Sequence, residues 1–171
     1  MSETLKALQR FRDLVVTEAK GNLQRMNKNA SGKLSNSIEG TVKEMPNSIS
    51  LLFDMLPYGN FQDKGVSGKY KKYDTKYTYR DLQPPPSKLD KWIVRRGIAP
   101  RDAKGKFQSR KSIQFAISRS IFKNGIKPSL FFTKPFEQAY KTLPDTLIDK
   151  YGLDAEQLLN QILNENLKNI K

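Results

Sequence analysis

The first third of the chain changes from a helical to an alternating pattern of apolar residues. Apolar residues recur every three or four positions from Leu5 to Met26 with charged residues between them, which predicts an amphipathic helix. Poor helix formers at Asn27 to Asn29 should end that helix. Residues 38–45 and 48–55 then predict a β-hairpin with one buried face. Leu52 breaks the alternation, so we expect the second strand to be covered on part of its other face too.

The middle of the chain predicts a long loop followed by two helices. Tyrosines and lysines alternate through residues 66–86, which end in three prolines and should form an extended arm reaching away from the core. A capping-box pattern opens a short helix over 87–96, and Trp92 on its apolar face should be buried. A second helix is predicted over 109–124.

The last part of the chain predicts a buried strand and two helices. The apolar run 129–132 favours the strand, and Pro135 suits the first turn of a helix that Pro144 should kink or end. Asp154 and Gln157 form a capping pair, so the final helix should begin there. Its apolar stripe must find a partner and consists of Leu158, Leu159, Ile162, Leu163 and Leu167.

These elements predict an α+β fold: an N-terminal helix packed on a small antiparallel sheet, with an inserted basic helical lobe and a C-terminal amphipathic helix. A chain of 171 residues, 37% of them hydrophobic, can bury one core. We therefore expect residues 1–65 and 126–171 to form one discontinuous core domain. Residues 66–125 should form the inserted loop and two-helix lobe.

The excess charge of the chain lies entirely in the insertion and its borders. Between Lys64 and Lys127 there are 18 Lys and Arg residues against 4 Asp and Glu, and the rest of the chain holds 13 of each, so this stretch carries the whole net charge of +14. Such an asymmetry indicates an acidic partner, either DNA or protein. For the Tyr/Lys loop, a merely solvated surface is an equally open interpretation.

The composition argues against an enzyme. The chain has no His and no Cys, and therefore lacks the commonest general base and the usual transition-metal ligands. We expect no catalytic residue, no metal and no cofactor. With no apolar run long enough to span a bilayer and no signal-peptide core, we also expect a soluble protein made in the cytoplasm, without a membrane partner.

Two groups of residues are candidates for contacts. The basic segment supplies the candidates for binding a partner or DNA: Lys69, Lys71, Lys72, Tyr73, Lys76, Arg95, Arg96 and Lys111. Aromatic and aliphatic residues of the flanking segments supply the candidates for oligomer contacts: Tyr58, Phe61, Leu158, Leu159 and Ile162.

Three separated segments, 30–38, 57–65 and 127–136, together resemble a known family. The first reads Ala-Ser-Gly-Lys-Leu-Ser-Asn-Ser-Ile, the second Pro-Tyr-Gly-Asn-Phe-Gln-Asp-Lys-Gly, and the third Lys-Pro-Ser-Leu-Phe-Phe-Thr-Lys-Pro-Phe. In this order they are similar to segments of the minor tail or tail-completion proteins of tailed bacteriophages. These are also described as head-tail joining or neck proteins, a wider group that includes tail-completion protein Z of phage lambda.

The resemblance implies a structural virion protein without a catalytic role. Its subunits would form a homo-oligomeric ring that joins the portal or adaptor to the tail, with portal, adaptor or tail proteins as partners and its place in the neck or tail of the virion. The basic segment would contact genomic duplex DNA without sequence preference, or an acidic neighbour. The alternative hypothesis is a free nucleic-acid-binding protein that uses the Tyr/Lys-rich segment and reads no particular sequence.

Overall fold

The computed structural model describes residues 2–45 and 48–168, without the side chains of 155 and 158–168. These residues form an α+β fold, as the sequence predicts. The elements are α1 (Glu3–Arg25), α2 (Lys33–Ser37), β1 (Glu39–Met45), β2 (Ser48–Asp54), α3 (Tyr58–Lys64), a 3-10 turn (Pro86–Leu89), α4 (Asp90–Arg95), α5 (Arg110–Asn124), α6 (Thr133–Tyr140) and α7 (Leu143–Lys168).

Helix α1 is the long axis on which the core is built. The hydroxyl of Ser2 accepts a hydrogen bond from the Leu5 backbone N–H and caps the start of the helix. The helix ends at Arg25, and Asn27 follows with a left-handed φ of 51°. Its buried face follows the predicted stripe from Leu5 to Leu23, whereas Met26, just past the helix, is 40% exposed. The helix lies so close to the hairpin that a Cβ on Gly40 would stand 2.4 Å from Arg12 Cγ.

The hairpin is antiparallel and pairs Glu39 with Asp54 at one end and Met45 with Ser48 at the other. Leu51 and Phe53 face the core. Leu52, expected to be covered on the opposite face, is 52% exposed. The expectation was wrong because no other element of the described chain packs on that side of the two-stranded sheet.

The core consists of two adjoining apolar clusters. The first has Ala19, Leu23, Leu34, Ile38 and Phe131 at its centre. The second is built around Phe11, Val15 and Leu143, with Phe53, Phe132 and Phe136 packed against them edge to face or stacked. Every member of both clusters comes from the segments before residue 66 or after residue 125.

The buried carboxylate of Asp63 joins α3 to the start of α6. Its Oδ1 accepts hydrogen bonds from the backbone N–H groups of Phe132 (2.9 Å) and Thr133 (3.2 Å), and its Oδ2 accepts one from the Thr133 hydroxyl. The side chain is 3% exposed. Asp63 therefore caps a helix that begins 70 residues later in the chain.

The predicted strand at 129–132 is wrong, because the segment forms a turn around Asp63. The backbone N–H of Leu130 donates to the Asp63 carbonyl (3.0 Å), and Leu130 adopts a left-handed φ of 51°. Phe131 is nevertheless fully buried, so the apolar run marks the core correctly. The backbone conformation of this run is determined by the tertiary hydrogen bond between Leu130 and Asp63.

The last helix begins earlier than predicted. Helix α7 starts at Leu143, with Pro144 in its first turn, and Asp154 lies in its interior. The Asp154 carboxylate instead accepts hydrogen bonds from the backbone N–H groups of Glu3 (2.8 Å) and Thr4 (3.0 Å). The bond from Thr4, and after it the bond from Glu3, hold the pKa of Asp154 below its usual 3.8. Asp154 is therefore a capping residue, as predicted, but the helix that it caps is α1 and not the final helix.

The inserted lobe has a small apolar centre of its own. Ile93 of α4 and Ile113 of α5 are buried, and the fully buried hydroxyl of Ser118 donates to the Pro84 carbonyl. A 3-10 turn replaces the expected capping box, since no side-chain cap precedes α4. Trp92, expected in the core, is 39% exposed because Ile93 occupies the inward position.

Replacing Asp63 with Ala should destabilise the whole chain by about 2 kcal/mol, because two backbone N–H groups of α6 lose their acceptor in a buried place. Urea unfolding followed by circular dichroism measures this free energy. Asp74→Ala on the exposed surface is the matched control and should change it by less than about 0.5 kcal/mol. Equal stability of the two variants would contradict the capping role.

Replacing Asp154 with Ala should lower the thermal midpoint at neutral pH, whereas Glu156→Ala on the exposed side of α7 should not. Because the folded-state pKa of Asp154 lies below the ordinary 3.8, its contribution is fully present above that value and is lost as the pH falls through the folded pKa. Thermal unfolding between pH 7 and pH 2.5 should show the two midpoints converging. A difference that persists at the lowest pH would exclude the ionised cap.

Candidate basic interaction surface

The Tyr/Lys loop is folded back onto the end of α5. The backbone N–H of Lys69 donates to the Phe122 carbonyl (2.8 Å), and that of Tyr70 donates to the Lys123 carbonyl (3.0 Å). Val66 and Ile126 exchange two backbone hydrogen bonds at the base of the loop. The prediction of an extended arm is therefore wrong, because backbone hydrogen bonds hold the loop where aliphatic anchors are few.

Ser67 organises the interior of this loop. Its backbone N–H donates to the Tyr77 carbonyl (2.8 Å) and its carbonyl accepts from Tyr79 (2.9 Å). Its hydroxyl bonds both the N–H and the carbonyl of Tyr73, at 3.0 Å and 3.2 Å. Partial burial in the same loop raises the pKa of Tyr79.

Two glycines allow the loop to approach α5. A Cβ on Gly125 would lie 2.1 Å from the Val66 carbonyl oxygen, and one on Gly68 would lie 2.3 Å from that of Lys123. Gly125 also has a φ of 73° with extended ψ, a conformation that only glycine adopts readily. The loop and the helix end are therefore fixed to each other by backbone contact.

Three of the predicted lysines lie over aromatic rings. The ammonium of Lys69 is 5.9 Å from the centre of the Phe122 ring, that of Lys71 is 5.7 Å from Tyr73, and that of Lys76 is 5.4 Å from Tyr77. These rings hold the charges at defined places on the surface. Lys69 and Lys71 lie at the C-terminal end of α5, because their backbones bond to that end.

The exposed side of α5 is a basic surface, and Lys111 is the one residue of this helix that the sequence analysis named for it. Lys111, Phe115, Arg119 and Lys123 follow one another at four-residue spacing and are all exposed. We call these four residues, with Lys69 at their C-terminal end, the α5 basic surface. The spacing is present in the sequence, but the prediction for this helix relied on its opposite, apolar face with Ile113.

The remaining predicted contact residues are dispersed. Arg96 is half-buried, and its guanidinium donates to the side-chain and backbone oxygens of Asn27, so it fastens the lobe to the end of α1. Lys72 donates to the Gly68 carbonyl at 2.9 Å within the loop. Tyr73 is half-buried in the Ser67 network, and Arg95 is exposed on α4.

Carboxylates neutralise little of this charge. Among the described residues, the one ion pair within the insertion is Arg110 with Asp90, at 3.7 Å. Asp90 also accepts from Gln114 at 2.7 Å. The α5 basic surface therefore presents its charge to solvent or to a partner.

The candidates for oligomer contacts divide into two sets. Tyr58 and Phe61 are 46% and 41% exposed, and the Phe61 ring meets Tyr77 edge to face at 4.6 Å. Both side chains are accessible to solvent. The candidates Leu158, Leu159 and Ile162 lie outside the side chains that the structure describes.

The described side chains include no group of three or more His, Cys, Asp or Glu residues placed to hold a metal ion. Within the described ranges, no helix is both long and apolar enough to cross a bilayer. In comparisons with family models, curated proteins and solved structures, the chain has no match.

Replacing Gly125 with Ala should release the loop from α5, since the new methyl group collides with the Val66 carbonyl. Hydrogen exchange of Lys69 and Tyr70, whose N–H groups bond to α5, reports the release. Gly97→Ala is the control, because Gly97 also has a positive φ but a Cβ added there would meet nothing within 4 Å. It should cost about 1 kcal/mol of backbone strain without unprotecting the loop. Unchanged protection in the Gly125 variant would contradict the assigned contact.

Proposed function

We propose that this chain is a structural subunit of a tailed bacteriophage virion, a neck or tail-completion protein. Its subunits form a homo-oligomeric ring that joins the portal or adaptor to the tail. It acts by binding its neighbours and catalyses no reaction.

The convergence of three family-like segments carries this proposal. Leu34 and Ile38 of the first segment share one buried cluster with Phe131 of the third. Gly59 of the second segment packs so tightly that a Cβ there would stand 2.9 Å from Leu34 Cδ1. Asp63, from the same segment, caps the helix that the third segment opens. Residues that resemble the family in order along the chain therefore meet in one structural unit.

The α5 basic surface is consistent with a place at the junction of portal or adaptor and tail. Cations that are free of carboxylates attract phosphates without reading bases, which fits a conduit for any genome sequence. The same surface fits an acidic neck protein, and Phe115 among the charges offers an apolar contact. The alternative function, free nucleic-acid binding, rests on this surface alone.

Reversing three charges on the α5 basic surface, Lys111→Glu, Arg119→Glu and Lys123→Glu, separates these functions. The control reverses the exposed Lys104, Lys106 and Lys141 to Glu and has the same net charge. In a phage that encodes this chain, the first variant should reduce the yield of joined heads and tails by about tenfold, counted by electron microscopy, because a docking surface now repels its acidic partner.

Duplex DNA binding, measured over a range of salt concentrations, gives the second readout. Each lost phosphate contact should lower the slope of log affinity against log salt by about 0.9. Steep DNA binding by the isolated chain, together with normal particle yield for the variant, would favour the alternative function. A phage that lacks the chain and still joins heads to tails would refute the proposed role in the virion.

A further inference from the structure

An apolar groove lies where the end of α1 meets the inserted lobe. It has a volume of about 750 Å³ and is open to solvent. Its apolar lining comes from the end of α1, from α4 and the residues that flank it, from α5, and from the segment that returns to the core. The apolar residues are Met26, Leu89, Trp92, Ile98, Ile117, Ile121 and Ile126.

The rim of this groove is basic and rich in hydrogen-bond donors. Lys28, Arg96 and Lys127 line it, and no acidic residue is among the described residues that do so. Two buried donor atoms, Gln62 Nε2 and Arg96 Nε, have no acceptor among the described atoms. These two atoms are too deeply buried to meet an incoming ligand directly, and it is the basic rim that favours a ligand with carboxylate groups. The groove therefore fits an acidic segment with an apolar face.

The C-terminal part of this same chain has that chemistry. Residues 155–168 carry two acids, Glu156 and Glu165, and a single base, Lys168, at their end. Asp154, just before them, is already engaged as the cap of α1. The apolar stripe at residues 158, 159, 162, 163 and 167 lies outside the described side chains and is taken from the sequence. The backbone of this segment is helical to Lys168.

Helix α1 separates this segment from the groove of its own subunit. The 23 residues of α1 span about 34 Å, with Asp154 at its start and Asn27 of the groove just past its end. Helix α7 runs antiparallel to α1, since Leu143 packs on Phe11. Past Asp154 it continues for about 20 Å, leading away from the groove.

We propose that residues 155–168 of one copy, the tail segment, dock in this groove of a second copy. The inference rests on the proposed homo-oligomer but not on its place in a virion. The tail segment and the groove lie at opposite ends of α1. The contact between two copies is therefore head-to-tail, and each copy can make it with the next. Such contacts close into rings when the rotation between neighbours permits.

Trp92 provides a direct test, because it is the chain's single tryptophan and lines the groove. A peptide of residues 152–171, added to dilute full-length protein, should change Trp92 emission in a saturable way. Reversing the rim charges with Lys28→Glu and Lys127→Glu should weaken peptide binding by about tenfold. The control pair Lys104→Glu and Lys106→Glu should leave it unchanged.

A charge-swapped peptide with Glu156→Lys and Glu165→Lys should bind the rim variant better than the native peptide does. Native peptide that leaves Trp92 emission unchanged, or that binds the rim variant and the wild type equally, would overturn the proposal. This test needs no assembled particle, so its outcome is independent of the proposed function in the virion. Either of the two proposals can be contradicted while the other is supported.

Assembly of full-length variants gives a second, independent outcome. The rim variant has an acidic groove and an acidic tail segment, and a tail variant with Glu156→Lys and Glu165→Lys has both basic. Each alone should assemble poorly, whereas an equal mixture should form complexes in which the two alternate. Native mass spectrometry counts the copies. Normal assembly of either variant alone, or no assembly of the mixture, would contradict docking.

Discussion

The buried carboxylate of Asp63 is the interaction on which the rest of the architecture depends. It accepts hydrogen bonds from the backbone N–H groups of Phe132 and Thr133 at the start of α6. The backbone carbonyl of the same residue accepts from Leu130 at the turn that brings Phe131 into the core. Helix α6 in turn leads to Leu143 at the start of α7, so this residue anchors the segment that carries the chain from the lobe back into the core. A capped helix start is favourable for an anion, so the carboxylate tolerates burial there.

A second carboxylate closes the structure at its other end. Asp154 brings the interior of α7 to the first turn of α1, so both helices are held in antiparallel contact along their shared length. In both cases an acidic side chain satisfies backbone groups of a helix that is distant in sequence. The core is thus defined by two long-range caps as well as by apolar burial.

Local sequence patterns predicted those helix ends that are determined by residues nearby in the sequence. The stripe of α1 and its end near Asn27 followed from spacing and propensity, and the end of α5 from Gly125. Where a distant residue decides the conformation, sequence reasoning failed. Asp154 was recognised as a capping residue, but its position gave no sign that its partner lies 150 residues away. The run 129–132 has strand composition, yet Asp63 bends it into a turn.

For the candidate site, the sequence located the charge but not its arrangement. The count of charged residues identified the insertion as the basic part of the chain. The backbone contact through Gly68 and Gly125 determines which of its lysines lie together. That contact depends on two close approaches that spacing does not reveal. The four-residue spacing of Lys111, Phe115, Arg119 and Lys123 is visible in the sequence. Which face of α5 turns outward, however, depends on how the lobe packs.

The paired backbones of Val66 and Ile126 close the base of the lobe, and Arg96 fastens the lobe a second time, to Asn27 at the end of α1. The chain leaves the core and returns to it at neighbouring positions, so the loop-closure cost of replacing everything between them with a short turn is small. A lobe of another length can therefore be joined at these two positions with little change in the entropy of closing the loop.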